Sequence, residues 1–247
     1  MSIFNIEQYV CKVCGFNMIG YHPNRCPFCG ALSNNFITAE ECSQNYEIVS
    51  NKVKNKVKRL NSYPNLGLEH AAYSIEIDGK RIWIDCPSTF NAELERMDKI
   101  LFTHHHFLGA SNLYREYYTA FIWIHIRDSE FDIAKKHPFD KKFENNFNID
   151  GIKAFHIDGH TPGFTFYIFE DILFVCDYLI PKKGNFIFNP YGPSKNTIEG
   201  AIKLKKIIEP RNISIVCGYN YVLDYPYWKE KFDQLSLKMC KKIKYLC

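Results

Sequence analysis

Four cysteines at positions 11, 14, 26 and 29 constrain this chain before any other residues do, because they form two C-x-x-C knuckles separated by eleven residues. Two such knuckles can close four thiolates around one tetrahedral ion. Each is followed by a glycine, Gly15 and Gly30, whose tolerance of positive φ lets the backbone turn its N–H groups toward the sulfurs. A disulfide framework would need an oxidising compartment. The stretch MSIFNIEQYVCKVC has no basic segment followed by an apolar run, so no secretory signal is expected. A cytoplasmic or other reducing location is therefore expected, and the tight cysteine group reads as a metal site. The other six cysteines, Cys42, Cys86, Cys176, Cys217, Cys240 and Cys247, are dispersed.

The 247 residues suffice for one core with a small appendage, or for two small domains. With 46% apolar and 23% charged residues the composition is globular. A formal net charge of +4 without any nucleic-acid signature argues against an RNA or DNA partner. No apolar run approaches the roughly 20 residues that span a bilayer. The longest, 164–176, contains Glu170 and Asp171.

Periodicity predicts strands over 71–77 and 81–85, joined by an Asp78-Gly79 turn, and further strands near 99–103, 121–125, 152–156, 164–169, 172–176 and 213–217. Helices are expected at 110–118, at 196–208, and over 227–246 with the stripe Phe232, Leu235, Met239, Ile243 and Leu246. Asn91 is the expected N-cap of another helix over 91–98. Thr38-Ala-Glu-Glu41 fits a capping box. Residues 46–60 read equally as an alternating strand or as a basic helix face. Their run Lys52, Lys54, Lys56, Lys58 and Arg59 reads as a solvated face, with docking of an acidic partner as the minor alternative. Strands in series interrupted by helices indicate an α/β (α+β) layered fold.

The second constraint is the run Thr103-His104-His105-His106-Phe107-Leu108-Gly109 at the end of a short apolar strand. Side chains alternate along extended chain, which places His104 and His106 on one side and turns His105 to the other. Later come His160, in Asp158-Gly159-His160-Thr161-Pro162-Gly163, and Asp177, after a buried strand. Three imidazoles and a carboxylate at strand ends are a sufficient ligand set for zinc or iron.

Two resemblances follow from these residues. Tyr9, Cys14-Gly15-Phe16 and Cys26-Pro27-Phe28-Cys29-Gly30-Ala31 resemble rubredoxin, especially the module attached to rubrerythrins, over about 25 residues. This implies a one-electron iron centre on Cys11, Cys14, Cys26 and Cys29. A structural zinc ribbon uses the same spacing. The Thr-His-x-His loop, the Gly-His-Thr-Pro-Gly turn, the later Asp177 and the early Ile84-Asp85 resemble the metallo-β-lactamase superfamily over most of 66–225. That resemblance implies an αββα sandwich with its metal site at one edge. His104, His106, His160 and Asp177 would be the ligands of the first metal, with Asp177 bridging to a second. The implied domains are a rubredoxin-like module at 1–45 and a metallo-β-lactamase-like domain at 46–247.

The departures are as informative. The superfamily's second-metal Asp and His fall at Leu108 and Gly109, and its last His at Tyr219. Leu108 cannot bind a cation and would desolvate it at a cost. Tyr219 is kept as a candidate because phenolate binds ferric iron. A mononuclear site is expected, which puts two-metal hydrolysis in doubt. His156 reads as structural or as a support for the ligands, His70 could reach the site but reads by default as a surface or capping residue, and His125 reads as structural. Cys86, Cys176 and Cys217 lie at expected strand ends near the site and read as small hydrophobes by default, with ligation or reaction with a sulfur-containing substrate as the minor alternative. Tyr219, Tyr221, Tyr225, Tyr227 and Trp228 read as packing.

Three functions compete. One is a redox enzyme with one non-haem iron fed electrons by the cysteine centre. By resemblance, the superfamily's persulfide dioxygenases use one iron, and its flavodiiron members couple to rubredoxin. A redox partner protein and a small-molecule substrate are expected on that reading. The second is a mononuclear zinc hydrolase, with Asp177 or His105 as general base and a structural zinc ribbon. The third is a non-catalytic assembly or regulatory protein.

Overall fold

The computed structural model describes residues 3–242, and the chain splits after Phe143 into two compact units. Ile243, Leu246 and Cys247, and the side chain of Cys240, lie outside the described residues.

The first unit opens with β1 (Gln8–Cys11), paired antiparallel with β2 (Asn17–Ile19) and β3 (Phe36–Thr38). Helix α1 (Ala39–Asn45) starts with the expected capping box: Glu41 N–H donates to Thr38 Oγ1 at 3.1 Å, and Thr38 N–H to Glu41 Oε2 at 2.7 Å. A seven-stranded sheet follows. It contains β4 (Glu47–Lys54), β5 (Val57–Tyr63), β6 (Ala72–Ile77), β7 (Lys80–Ile84), β8 (Lys99–Leu101), β9 (Phe121–His125) and β10 (Lys141–Phe143), in the order β10-β9-β8-β7-β6-β5-β4. The first four pair as antiparallel hairpins, and β7 to β10 run parallel. Helices α2 (Ser111–Tyr118) and α3 (Ile126–Ser129) complete the unit.

Residues 46–60 are strand rather than helix. Alternation buries Ile48, Val57 and Leu60, while Lys52, Lys56 and Lys58 face water. The expected helix over 91–98 is absent. Asn91 Oδ1 accepts from Glu93 N–H in a local turn, the Tyr118 hydroxyl reaches the Ala92 and Leu94 carbonyls, and Asp98 exchanges two hydrogen bonds with the Arg81 backbone. The polar groups of this segment are committed outside it, so no helical ladder forms.

The second unit is built on β11 (Phe147–Ile149), β12 (Ile152–His156), β13 (Thr165–Phe169), β14 (Ile172–Cys176), β17 (Ile215–Gly218) and β18 (Val222–Asp224), in that order across one sheet. Between β14 and β17 come the hairpin β15 (Leu179–Lys182) and β16 (Asn185–Phe188), then helix α4 (Ser194–Ile208), which carries the chain across to the parallel partner strand β17. Helix α5 (Tyr225–Lys242) closes the unit, and its Trp228 and Phe232 join Phe164, Phe166 and Tyr178 in the core.

His137, between α3 and β10, is buried in the first unit, and its ring donates to the Asn17 carbonyl. Burial pushes it down to about 4 from an ordinary 6.5. Between those values the unfolded chain binds a proton that the native chain refuses, so the native state loses stability as pH falls through that window. Urea unfolding compared at about pH 7 and about pH 4.5 should show a larger drop in the wild type than in His137→Leu.

Candidate metal centres

Cys11 ends β1, Cys14 follows on its turn, and Cys26 and Cys29 form the second knuckle. The Cys11 and Cys29 sulfurs lie 3.7 Å apart and those of Cys14 and Cys26 3.6 Å apart. A disulfide would bring a pair to about 2.05 Å. Metal–sulfur bonds of about 2.3 Å put the corners of a tetrahedron about 3.8 Å apart, close to what is found. Gly15 and Gly30 take φ of 78° and 76°, and their N–H groups close the turns onto the Cys11 and Cys26 carbonyls. Hydrogen bonds from Cys14 and Cys26 hold the Cys11 thiol down to about 2. The same contact with Cys11 pushes Cys14 upward and Cys26 up to about 12. Crowded sulfurs share charge in this way until a cation lets all four ionise.

The knuckle is seated on the rest of its unit. Gln8 and Asn112 exchange amide hydrogen bonds, Asn17 Nδ2 donates to the Ser88 carbonyl, and Leu68 N–H to that of Val13. A side chain on Gly15 would collide with Ser88. Phe28, between Cys26 and Cys29, lies with its ring centroid 5.4 Å from that of His106 and 5.0 Å from that of Phe107.

The histidine loop leaves β8 where the parallel strands end. Asp85, just past β7, is buried with φ at 59°. It accepts from Thr103 N–H at 2.9 Å and from the Thr103 hydroxyl. Thr103 Oγ1 is 2.9 Å from His104 Nδ1. The single hydroxyl proton goes to the carboxylate, so His104 Nδ1 must be the donor in the second bond. That tautomer puts the imidazole lone pair on Nε2, the ligating form. The His104 and His106 rings lie 4.7 Å apart. His105 is turned onto Asp128: its Nδ1 is 3.4 Å from Oδ1, its backbone N–H donates to Oδ2, and its ring stacks on Phe131 at 4.0 Å. His125 caps α3 through Nδ1. His70 corrects the expectation of a surface or capping role: it is 6% exposed, stacked on Phe107, with its ring 6.2 Å from that of His104.

In the second unit His160 rides a loop closed by Ile157 N–H to Phe164 O at 3.1 Å and braced by His156 Nε2 on the Pro162 carbonyl at 2.9 Å. His156 is thus structural, as expected. Gly159, at φ 114°, leaves no room for a side chain against the Tyr178 ring. Asp177 follows a register shift in β14, after Cys176 at φ 45°. Its Oδ2 lies 3.5 Å from His160 Nε2. Sequence reasoning missed Asn189, whose amide reaches both groups. Tyr219, just past β17, is half-buried, and burial and the Asp177 charge push its phenol upward. Cys86, Cys176 and Cys217 are all buried, and burial pushes Cys86 well up, as for small apolar side chains. Tyr221 accepts from Trp228 Nε1, and Trp228 stacks on Phe232, so this aromatic group is packing.

The two loop positions to which the sequence resemblance would assign second-metal ligands are closed. Leu108 is part of the core of the first unit. Gly109 takes φ 53°, and a Cβ there would collide with the carbonyl oxygens of Cys86 and Pro87.

No family model and no curated protein matches this chain. Solved structures do. The DIM-1 metallo-β-lactamase aligns over 78% of this chain and 97% of its own, with TM-score 0.65 and 16% identity. VMB-1 covers the same shares, with TM-score 0.64 and 18% identity. The chain has the metallo-β-lactamase fold. TTHA1623, solved in a di-iron-bound form, shares that fold over 66% of this chain and 93% of its own, with TM-score 0.54 and 18% identity. The mixed α/β sandwich expected from the sequence is therefore present, with a tetracysteine knuckle ahead of it. His104, His106, His160 and Asp177 are the residues that the sequence resemblance would assign to a first metal.

Two substitutions test these geometries. Gly109→Ala should cost about 2 kcal/mol or more, from left-handed strain plus overpacking, read as a lower urea midpoint. Thr103→Val removes the hydroxyl between Asp85 and His104 and should weaken metal binding at the histidine site by roughly 10–100-fold, read by chelator competition.

Proposed function

We propose that this chain is a metal-dependent redox enzyme in which His104, His106, His160 and Asp177 together hold one non-haem iron. A second, tetracysteine iron on Cys11, Cys14, Cys26 and Cys29 supplies it with electrons. The contact of Phe28 with His106 carries this reading, because a purely structural zinc ribbon has no need to touch a metal-ligand loop. Iron at both sites would supply one-electron chemistry. In this reading residues 1–45 are the electron-transfer module and 46–247 the domain that carries the reaction.

The residues have distinct tasks. Asp85 and Thr103 aim His104. Asp128 sets Oδ1 3.4 Å from His105 Nδ1 and accepts from the His105 backbone N–H, which makes His105 the candidate proton carrier beside the ligands. Phe28 and Phe107 pack apolar rings on His106 and His70 and exclude water there. Tyr219 sets a phenol near Asp177. The electron donor is a separate redox protein in a reducing compartment, and the substrate is a small molecule. Among the described residues no helix is long and apolar enough to cross a membrane. A zinc-dependent hydrolase is the second reading, favoured by the same His105–Asp128 pair acting as general base.

Anaerobically purified protein should contain two irons per chain. Electron paramagnetic resonance should resolve one tetrahedral ferric–sulfur centre and one nitrogen/oxygen-bound iron. Zinc alone, or two ions at the histidine set, would overturn the redox reading. Phe28→Ala should retain both irons yet slow electron passage between them, measured by stopped-flow reduction.

A further inference from the structure

The turn Asn189-Pro190-Tyr191-Gly192-Pro193 leaves β16 and lies against both candidate ligands of the second unit. Asn189 is 5% exposed. Its Nδ2 lies 2.8 Å from Asp177 Oδ2, 3.2 Å from the Asp177 carbonyl and 3.2 Å from His160 Nε2. The orientation of the amide is not arbitrary. Tyr191 N–H donates to Asn189 Oδ1 at 3.0 Å, so the oxygen end is occupied and the NH2 end must face the ligands. The Asn189 backbone N–H donates to the Tyr178 carbonyl at 3.2 Å, tying the turn to the residue that follows Asp177. Gly192 presses on the other ligand from behind, since a Cβ there would collide with the His160 carbonyl. Two prolines limit φ on either side of the turn.

We propose that Asn189 is a positioning residue for the metal site, and that the 189–193 turn is a strap holding Asp177 and His160 in one mutual orientation. A carboxylate offers about four lone-pair directions and can rotate among them. An amide donor fixed on Oδ2 removes that freedom and aims Oδ1. The same NH2 lies 3.2 Å from His160 Nε2 and holds the ring in place until an ion takes that lone pair, so one side chain orders both ligands beforehand. Preorganisation of this kind acts on affinity, because the ordering cost is met in the folded protein. The inference rests on the metal-site reading above, but on neither iron nor electron transfer.

The test is titration of metal-free protein with Co2+ alone, followed by absorption. Sulfur-to-cobalt charge transfer reports the tetracysteine site, and the weaker ligand-field bands report the nitrogen/oxygen site. Asn189→Asp keeps the volume and reverses the donor, and Asn189→Leu removes it. Gly192→Ala pushes the strap off His160 without touching the amide. All three should weaken Co2+ at the nitrogen/oxygen site by roughly 10–100-fold and shift its bands, with the charge-transfer titration unchanged. Wild-type affinity in the Asn189 variants, or an equal loss at both sites, overturns the proposal while leaving the metal site standing. Failure of the wild type to bind Co2+ beyond the cysteine site overturns the metal reading and this inference with it.

Discussion

The buried carboxylate of Asp85 is the contact on which the histidine loop depends. It stands where the parallel ladder of β7 and β8 runs out, so beyond it only side chains can keep the two strand ends in register. By taking both the N–H and the hydroxyl of Thr103, it extends the ladder by one residue. Hydrogen bonds to an ionised acceptor are about twice as strong as neutral ones, and breaking one inside a core leaves a charge unpaired. The order it imposes passes through Thr103 to the His104 ring. The left-handed backbone of Asp85 is a strained conformation that this bonding sustains.

Much of the architecture was legible because it is local. The Asp78-Gly79 hairpin, the capping box at Thr38 and the alternation around Ile48 each depend on residues a few positions apart. The four histidine and aspartate positions were legible as a linear motif. What failed or was missed depends on distant partners. Asn91 has the right chemistry for an N-cap, yet Tyr118 and Arg81 claim the backbone around it. Asn189 lies in a stretch that reads as a turn and nothing more, and only the fold brings its amide to Asp177. His70 and Asp128 have no motif; His70 is found by its ring neighbours and Asp128 by its contact with His105.

The tetracysteine knuckle is built into the first unit. Its buried amides interlock with Asn112, its first glycine fits against Ser88, and His137 reaches back to the Asn17 carbonyl. Phe28 then has a fixed neighbour in His106 rather than a transient one. The knuckle and the histidine loop that follows β8 are thus held within one unit.

The absence of space at Gly109 limits what this loop can be made to carry. With Gly109 in a left-handed turn against the 86–87 carbonyls, an imidazole cannot be placed there unless the backbone moves, since even a methyl group would collide. With Leu108 in the hydrophobic interior, building further ligands into this loop would demand main-chain rebuilding and repacking at once.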